Sequence, residues 1–295
     1  MSIGNFDGVH LGHQRIVEEL CRHARSQNLP AVAFTFDPPP VALLRPDQSP
    51  EPLTWTERKS ELLHSYGVAE VIVVHTSLAL LRLTAEEFFE RVIRLGLRTR
   101  GMVEGPDFGF GRGRAGTIAT LRQLCAGCDL KLDVAEAVVI EGDVVSSSRI
   151  RKCLAAGQVE LAARMLGRPH RIRGHVGPGV GRGTPLGFPT ANLQSCDPLL
   201  PADGVYAGQV HLAGHTWPVA SNIGPNPTFG EHARKVEAHL IGFSGDLAGQ
   251  ILEVYLLARL RDTRKFESPA ELVRQLHRDV EQSLAIVNAR YPPSL

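Results

Sequence analysis

The 295-residue chain has no excess of charge of either sign: Lys and Arg total 32, Asp and Glu 31, for a net charge of +1. That balance gives no electrostatic footprint for nucleic acid or an acidic membrane surface, so neither is expected as a partner. There is no run of about 18 apolar residues, and no transmembrane helix is expected. No basic segment followed by an apolar core opens the chain, so no secretory signal is expected either. The five cysteines are odd in number and follow no framework spacing, which points to a reduced, cytoplasmic protein. Internal repeats and low-complexity stretches are also lacking. Hydrophobic residues make up 43%, enough for the cores of two modest domains.

The first half alternates two patterns. Residues 31–36, 70–75 and 100–104 are short, apolar and β-rich, whereas Ile16, Val17, Leu20, Cys21 and Ala24 recur at helical spacing. Thr84, with Glu87 three residues on, forms a capping box ahead of Phe88, Phe89, Val92 and Ile93. Such alternation predicts an α/β domain, a Rossmann-like parallel sheet with helices on both faces and ligands at the strands' carboxyl ends. Near Gly167 the pattern changes. Strands predicted over 204–212, 217–222, 236–243 and 250–261, separated by turn residues, argue for a mainly antiparallel β-barrel. A terminal helix follows, with Ser268 as N-cap, Pro269 at its first position and Glu271 completing a box. Its apolar stripe is Leu272, Val273, Leu276, Val280 and Leu284. The expected division is 1–166 and 167–295.

Three segments carry chemistry in the first half. Gly4, Asn5, Phe6 and Asp7 lead into His10-Leu11-Gly12-His13, a Gly-rich turn opening a helix near His13. Free N–H groups at a helix start bind anions, two imidazoles add donors, and Gly12 admits close backbone approach. This suits nucleotidyl transfer, which runs on positioning and electrostatics; a tight turn with two exposed histidines is the alternative. Gly105 to Gly111, including Asp107 and Phe108, follows a strand. Ser147, Ser148 and Arg149 open another helix, where hydroxyls and a guanidinium suit triphosphate oxygens; an ordinary N-cap with solvated arginines is the alternative.

In the second half, glycines 177, 179, 181 and 183 leave backbone amides able to wrap phosphates. Pro185 and Pro189 stand where a dinucleotide fingerprint needs a helix, which rejects a NAD site. Thr190 and Asn192 lie in a Pro-Thr-Ala-Asn run that, as a bare tetrapeptide, reads better as a Pro-anchored turn. Glu237 and His239 alternate with Val236, Ala238 and Leu240, so the two polar side chains share one strand face. Glu237 there can accept a proton from an attacking hydroxyl, or simply belong to a polar outer face. The Cys125-x-x-Cys128 pair, alone and at a helix end, makes neither a zinc nor a redox site. His64, His75, His170, His211 and His277 are scattered and expected in surface or hydrogen-bonded roles.

Together these segments, in order along the whole chain, resemble the bacterial bifunctional riboflavin kinase/FAD synthetases. Ile3 to Gln14, Phe36 to Pro40, Gly105 to Gly111 and Ser147 to Arg151 resemble the synthetase half. Gly187 to Asn192, Asn222 to Phe229 and Leu260 to Phe266 resemble the kinase half. The resemblance implies phosphorylation of riboflavin to FMN and adenylylation of FMN to FAD, with ATP as co-substrate and Mg²⁺ as cofactor. It implies Mg²⁺ at Thr190 and Asn192, and Glu237 as the base toward the ribityl hydroxyl. His10, His13, Ser147, Ser148 and Arg149 would serve adenylyl transfer, and Asp107, Phe108 and Arg261 the flavin. Departures are Ser148 for the usual Thr, Thr184-Pro185, Gly242 and Ala248. The family carries further residues ahead of Ile3, so a poorly anchored His10/His13 turn is expected. Competing readings are a riboflavin kinase with an inactive first domain, a flavin-binding regulator with neither activity, and a nucleotidyltransferase with another acceptor.

Overall fold

Over Met1–Ser146 the alternating strand and helix patterns fold as one unit, and Ser147–Leu295 folds as a second around a closed barrel. The computed structural model describes residues 1–178, 183–226 and 231–290.

The first unit runs β1 (Ser2–Ile3), α1 (Leu11–Ser26), β2 (Val32–Asp37), α2 (Pro40–Leu44), α3 (Thr56–Ser65), β3 (Glu70–His75), α4 (Leu78–Leu81), α5 (Ala85–Phe88), β4 (Gly101–Glu104), α6 (Ile118–Ala126), β5 (Lys131–Val134), β6 (Val139–Ile140) and β7 (Asp143–Val144). The strands β1, β2 and β3 pair in parallel, as do β4 and β5. Short as it is, β1 is bonded on both sides. Gly4 N–H donates to Phe34 O, and Val103 N–H donates to Met1 O, both at 3.0 Å. The parallel strands therefore lie in the order β3, β2, β1, β4, β5. Successive residues face opposite sides. Ala33 and Val103 pack with Val17, Leu20 and Leu63 from α1 and α3. Phe34 and Met102 pack with Phe88, Ile93 and Leu121 on the other face. Helices cover both faces, as the sequence predicts. The Thr84–Glu87 capping box forms, and its helix continues as π-helical turns through Phe89–Gly96.

The second unit runs α7 (Ser147–Ala155), α8 (Val159–Leu166), β8 (His170–Gly177), β9 (Ala191–Asp197), β10 (Gly204–Leu212), β11 (His215–Asn226), β12 (Glu231–Leu240), β13 (Ile251–Arg261) and α9 (Pro269–Arg290). The barrel closes in the order β10, β11, β12, β9, β8, β13, antiparallel throughout. Two of its strands, β8 and β9, went unpredicted. In β8 the buried positions are His170, Ile172, Gly174 and Val176, alternating with Arg171, Arg173 and His175. The inward set is thus half His and Gly, which hides the alternation. The compact units divide twenty residues before the expected boundary, because α7 and α8 cluster with the barrel. Ala202 N–H donates to Leu154 O at 2.8 Å, and Arg259 N–H donates to Glu160 Oε1 at 2.9 Å.

The terminal helix α9 packs on β10, β11 and β13. Pairing register sets Ala220, Ala207 and Ala258 in one row across these strands, and small side chains let a helix approach closely. Its cap forms, with Glu271 N–H donating to Ser268 Oγ at 3.2 Å. The most deeply buried positions are Asp279, Ser283 and Val287. The apolar stripe read from the sequence is only half-buried, because the deepest line is set by the partner that Asp279 finds in β13.

Candidate active sites

The first site is the turn joining β1 to α1, at the strands' carboxyl ends. Its backbone takes left-handed conformations at Phe6 (φ 46°), Gly8 (φ 81°) and Val9 (φ 39°). Neither Phe6 nor Val9 is a natural occupant of that region, so contacts must impose it. Several are present. Val9 N–H donates to Phe6 O at 3.0 Å, Gln14 Nε2 to Val9 O at 2.8 Å, and Leu53 N–H to Asp7 Oδ1 at 2.9 Å. The turn is well anchored, contrary to the expectation drawn from the short first strand.

The helix begins at Leu11, two residues earlier than expected, and His10 is its N-cap. Its Nδ1 accepts from His13 N–H at 3.4 Å, and the two imidazoles stack at 3.7 Å. His10 is 6% exposed, which overturns the alternative of two solvent-exposed histidines. A Cβ on Gly12 would stand 3.1 Å from the His10 ring, so glycine lets the pair stack. Phe6 was expected to contact nucleotide, but its ring is 1% exposed within the core cluster. It supports His13 edge-on at 5.4 Å, leaving its backbone to face the turn. Asn5 is exposed.

Beyond β4, Asp107 is exposed and its carbonyl accepts from Arg114 Nη2 at 2.9 Å. Phe108 stacks on Phe110 at 5.5 Å, a half-buried aromatic face suited to a planar ring. Ser147, Ser148 and Arg149 open α7 as predicted.

The second site is a row across the barrel. Register places Asn222 of β11 opposite Glu237 of β12, and Glu237 opposite Asn192 of β9. Directly paired residues share a sheet face, so the carboxylate lies between two amide side chains. All three are half-buried, outside the fully buried row of Ser221, Ala238 and Ala191. Thr190 precedes β9 and is exposed. Asn192 therefore sits in a strand, not in a Pro-anchored turn. His239 Nδ1–H donates to Pro189 O at 2.7 Å. Phe188 meets His239 and His277 edge-on, at 5.5 and 5.0 Å.

One assignment needs correction. Gly177 is a strand residue paired with Asn192, and the Gln194 side chain occupies the space where its Cβ would be; it does not belong to an open phosphate loop. Arg261 donates to Asp279 from Nε (3.0 and 3.1 Å) and Nη2 (2.7 Å), and to Asp262 O from Nη1 (3.0 Å). Nε and Nη2 thus anchor α9 through Asp279, so the side chain has a structural partner that the sequence did not suggest. Gly183 lies where a Cβ would come 2.1 Å from Phe188 O, so only glycine fits. Gly181, Gly179 and Pro227 to Phe229 lie outside the described residues. Sequence reasoning used Asn222 only as the start of a family-like segment; its place opposite Glu237 comes from register. It also set His277 aside, which the fold brings to Phe188.

A βα turn at the start of a helix in one unit and a carboxylate–amide row on the barrel in the other make two separate candidate centres. The FAD synthetase family model matches residues 1–149, and the riboflavin kinase family model matches 166–287. The chain is 35% identical to the bifunctional riboflavin kinase/FMN adenylyltransferase of Pseudomonas fluorescens, covering 97% of this chain and 92% of that one. It is 36% identical to that of Escherichia coli K12 (95% and 90%) and 33% to that of Bacillus subtilis 168 (96% and 91%). A crystal structure from Streptococcus pneumoniae, described as a macrolide-efflux protein, matches with a TM-score of 0.87 at 33% identity, covering 96% of this chain and 93% of that one. The chain belongs to the bifunctional riboflavin kinase/FMN adenylyltransferase family.

Proposed function

We propose that the two family activities are divided between the two sites: the barrel phosphorylates riboflavin to FMN, and the βα turn adenylylates FMN to FAD with release of pyrophosphate. ATP is co-substrate of both. The observation that carries the reading is the Asn222–Glu237–Asn192 row, which sets one carboxylate opposite an amide residue on each neighbouring strand. Glu237 accepts the proton of the ribityl hydroxyl as that oxygen attacks the γ-phosphate. Thr190 and Asn192 offer neutral oxygens, a donor set that fits Mg²⁺ sharing its remaining positions with water and phosphate. When bound, the cation neutralises phosphate charge. Gly183 keeps the chain close against Phe188, just before Thr190.

In the first site, the N–H groups of α1 and the stacked His10 and His13 stabilise charge on the α-phosphate and on departing pyrophosphate. Asp107 and Phe108 receive the flavin, and the hydroxyls and guanidinium of Ser147, Ser148 and Arg149 at the start of α7 are of the type that binds triphosphate oxygens. The functional boundary falls at 166/167, a reading supported by the spans of the two family matches. Five free cysteines fit a reduced, cytoplasmic setting. Efflux, named for the S. pneumoniae neighbour, has no supporting feature: among the described residues no helix is long and apolar enough to cross a membrane.

Chromatography of the flavin products tests the division. Glu237→Gln should abolish FMN formation from riboflavin yet convert supplied FMN to FAD; normal FMN output refutes the base. His13→Ala should stall at FMN, and undiminished FAD output refutes the first site.

A further inference from the structure

Lys59, on α3, is 7% exposed, and no step above uses it. An ammonium is costly to bury unless it is paired and hydrogen-bonded, and an apolar side chain would serve a buried helix face better. Its Nζ donates to the Asn5 carbonyl at 3.3 Å, and Thr35 Oγ1 donates to the same oxygen at 3.2 Å. Asp7 in the turn and Asp37 at the end of β2 are the charges that favour its protonated form, against burial, which lowers its pKa. Lys59 thus joins α3 to the β1–α1 turn at the residue just before the first left-handed position, Phe6. Lys59 is also a cation that offsets two carboxylates near the strands' carboxyl ends.

We propose that Lys59 is a positioning residue for FMN adenylylation: its charge fixes the Asn5–Asp7 turn and offsets Asp7 and Asp37, so that a nucleoside triphosphate is not repelled from the start of α1. The inference rests on the turn being the nucleotide site. Neutralising Lys59 removes a positive charge that offsets Asp7 and Asp37 beside the turn. The loss then falls on ATP binding, and it shrinks as salt screens the repulsion.

The test is steady-state FAD synthesis from FMN by the full chain, with riboflavin phosphorylation by the same preparation as internal control. Lys59→Met should raise KM for ATP about tenfold, equivalent to one pKa unit of interaction energy, with kcat within about threefold. The difference from wild type should narrow at high ionic strength. Lys59→Arg, which keeps the charge, should restore KM. Lys59→Gln, which can still donate a hydrogen bond, should resemble Met and supplies the neutral variant if Met does not fold. An unchanged KM in the neutral variants, a loss confined to kcat, or an Arg variant no better than Met overturns the proposal. His13→Ala separates the two failures: if it leaves FAD output intact, the nucleotide-site assignment falls; if it abolishes output while the Lys59 variants keep wild-type KM, only Lys59 falls.

Discussion

Replacing Arg261 separates a structural role from a ligand-binding one. Asp279 is 1% exposed, and its carboxylate receives three contacts from Arg261 within 3.1 Å plus one from Gln275 Nε2 at 2.9 Å. Arg261→Met leaves that carboxylate buried with only the Gln275 bond. Breaking a buried pair on one side costs about 3–5 kcal/mol, and because the Arg261 side chain is 19% exposed, water offsets part of this. About 3 kcal/mol is expected. At roughly 2–4 °C per kcal/mol for a unit of this size, the melting temperature of the barrel should fall by about 6–12 °C. Calorimetry on the full chain, with the barrel transition identified by riboflavin stabilisation, measures it. Asp279→Leu combined with Arg261→Met removes both charges and should recover most of the loss, giving a strong coupling energy in the double-mutant cycle. An Arg261→Met chain with unchanged melting and a raised KM for riboflavin would refute the reasoning and return Arg261 to the flavin site.

Two further outcomes follow from single contacts. His170 is 1% exposed, its Nε2–H donates to Leu199 O at 2.8 Å, and burial lowers its pKa from 6.5 to about 4. A lowered imidazole pKa means that protonation favours the unfolded chain. The contribution is complete above pH 6.5 and is lost as pH falls toward 4, about 3 kcal/mol in all. His170→Gln, which can keep the donor, should flatten the fall in melting temperature across that range; parallel profiles for variant and wild type would count against it. Gly183→Ala would bring a Cβ within 2.1 Å of the Phe188 carbonyl. Riboflavin phosphorylation should drop about tenfold or more as the backbone shifts, with FMN adenylylation unchanged. A normal kinase rate would mean that the segment before Thr190 tolerates displacement.

Much was legible before any fold was known, because local physics wrote it into the chain. Strands β2, β3 and β4 are short apolar runs, and α5 announces itself by Thr84 and Glu87. His10, Gly12, His13, Ser147 and Arg149 stand at the starts of α1 and α7, where helix geometry itself creates anion sites. Glu237 alternates with Val236 and Ala238, which fixes its face. In each case the signal spans a few residues, and a few residues are enough to express it.

What lay beyond reach depends on partners far away in the chain. Nothing near Arg261 tells that Asp279 will meet it across 18 residues and make it an anchor for the terminal helix. Nothing near Gly177 tells that Gln194 will cover it. The burial of Phe6 and His10, the inclusion of Asn192 in β9, and the register that sets Asn222 and Asn192 on either side of Glu237 all come from closing the sheet and the barrel. So does the meeting of Lys59 with Asn5 across 54 residues. Short-range pattern carries the family resemblance, the two fold classes and the chemical types at each centre. Which of those side chains are buried, paired or exposed follows only from the fold, because burial and pairing belong to the whole chain and not to a window of it.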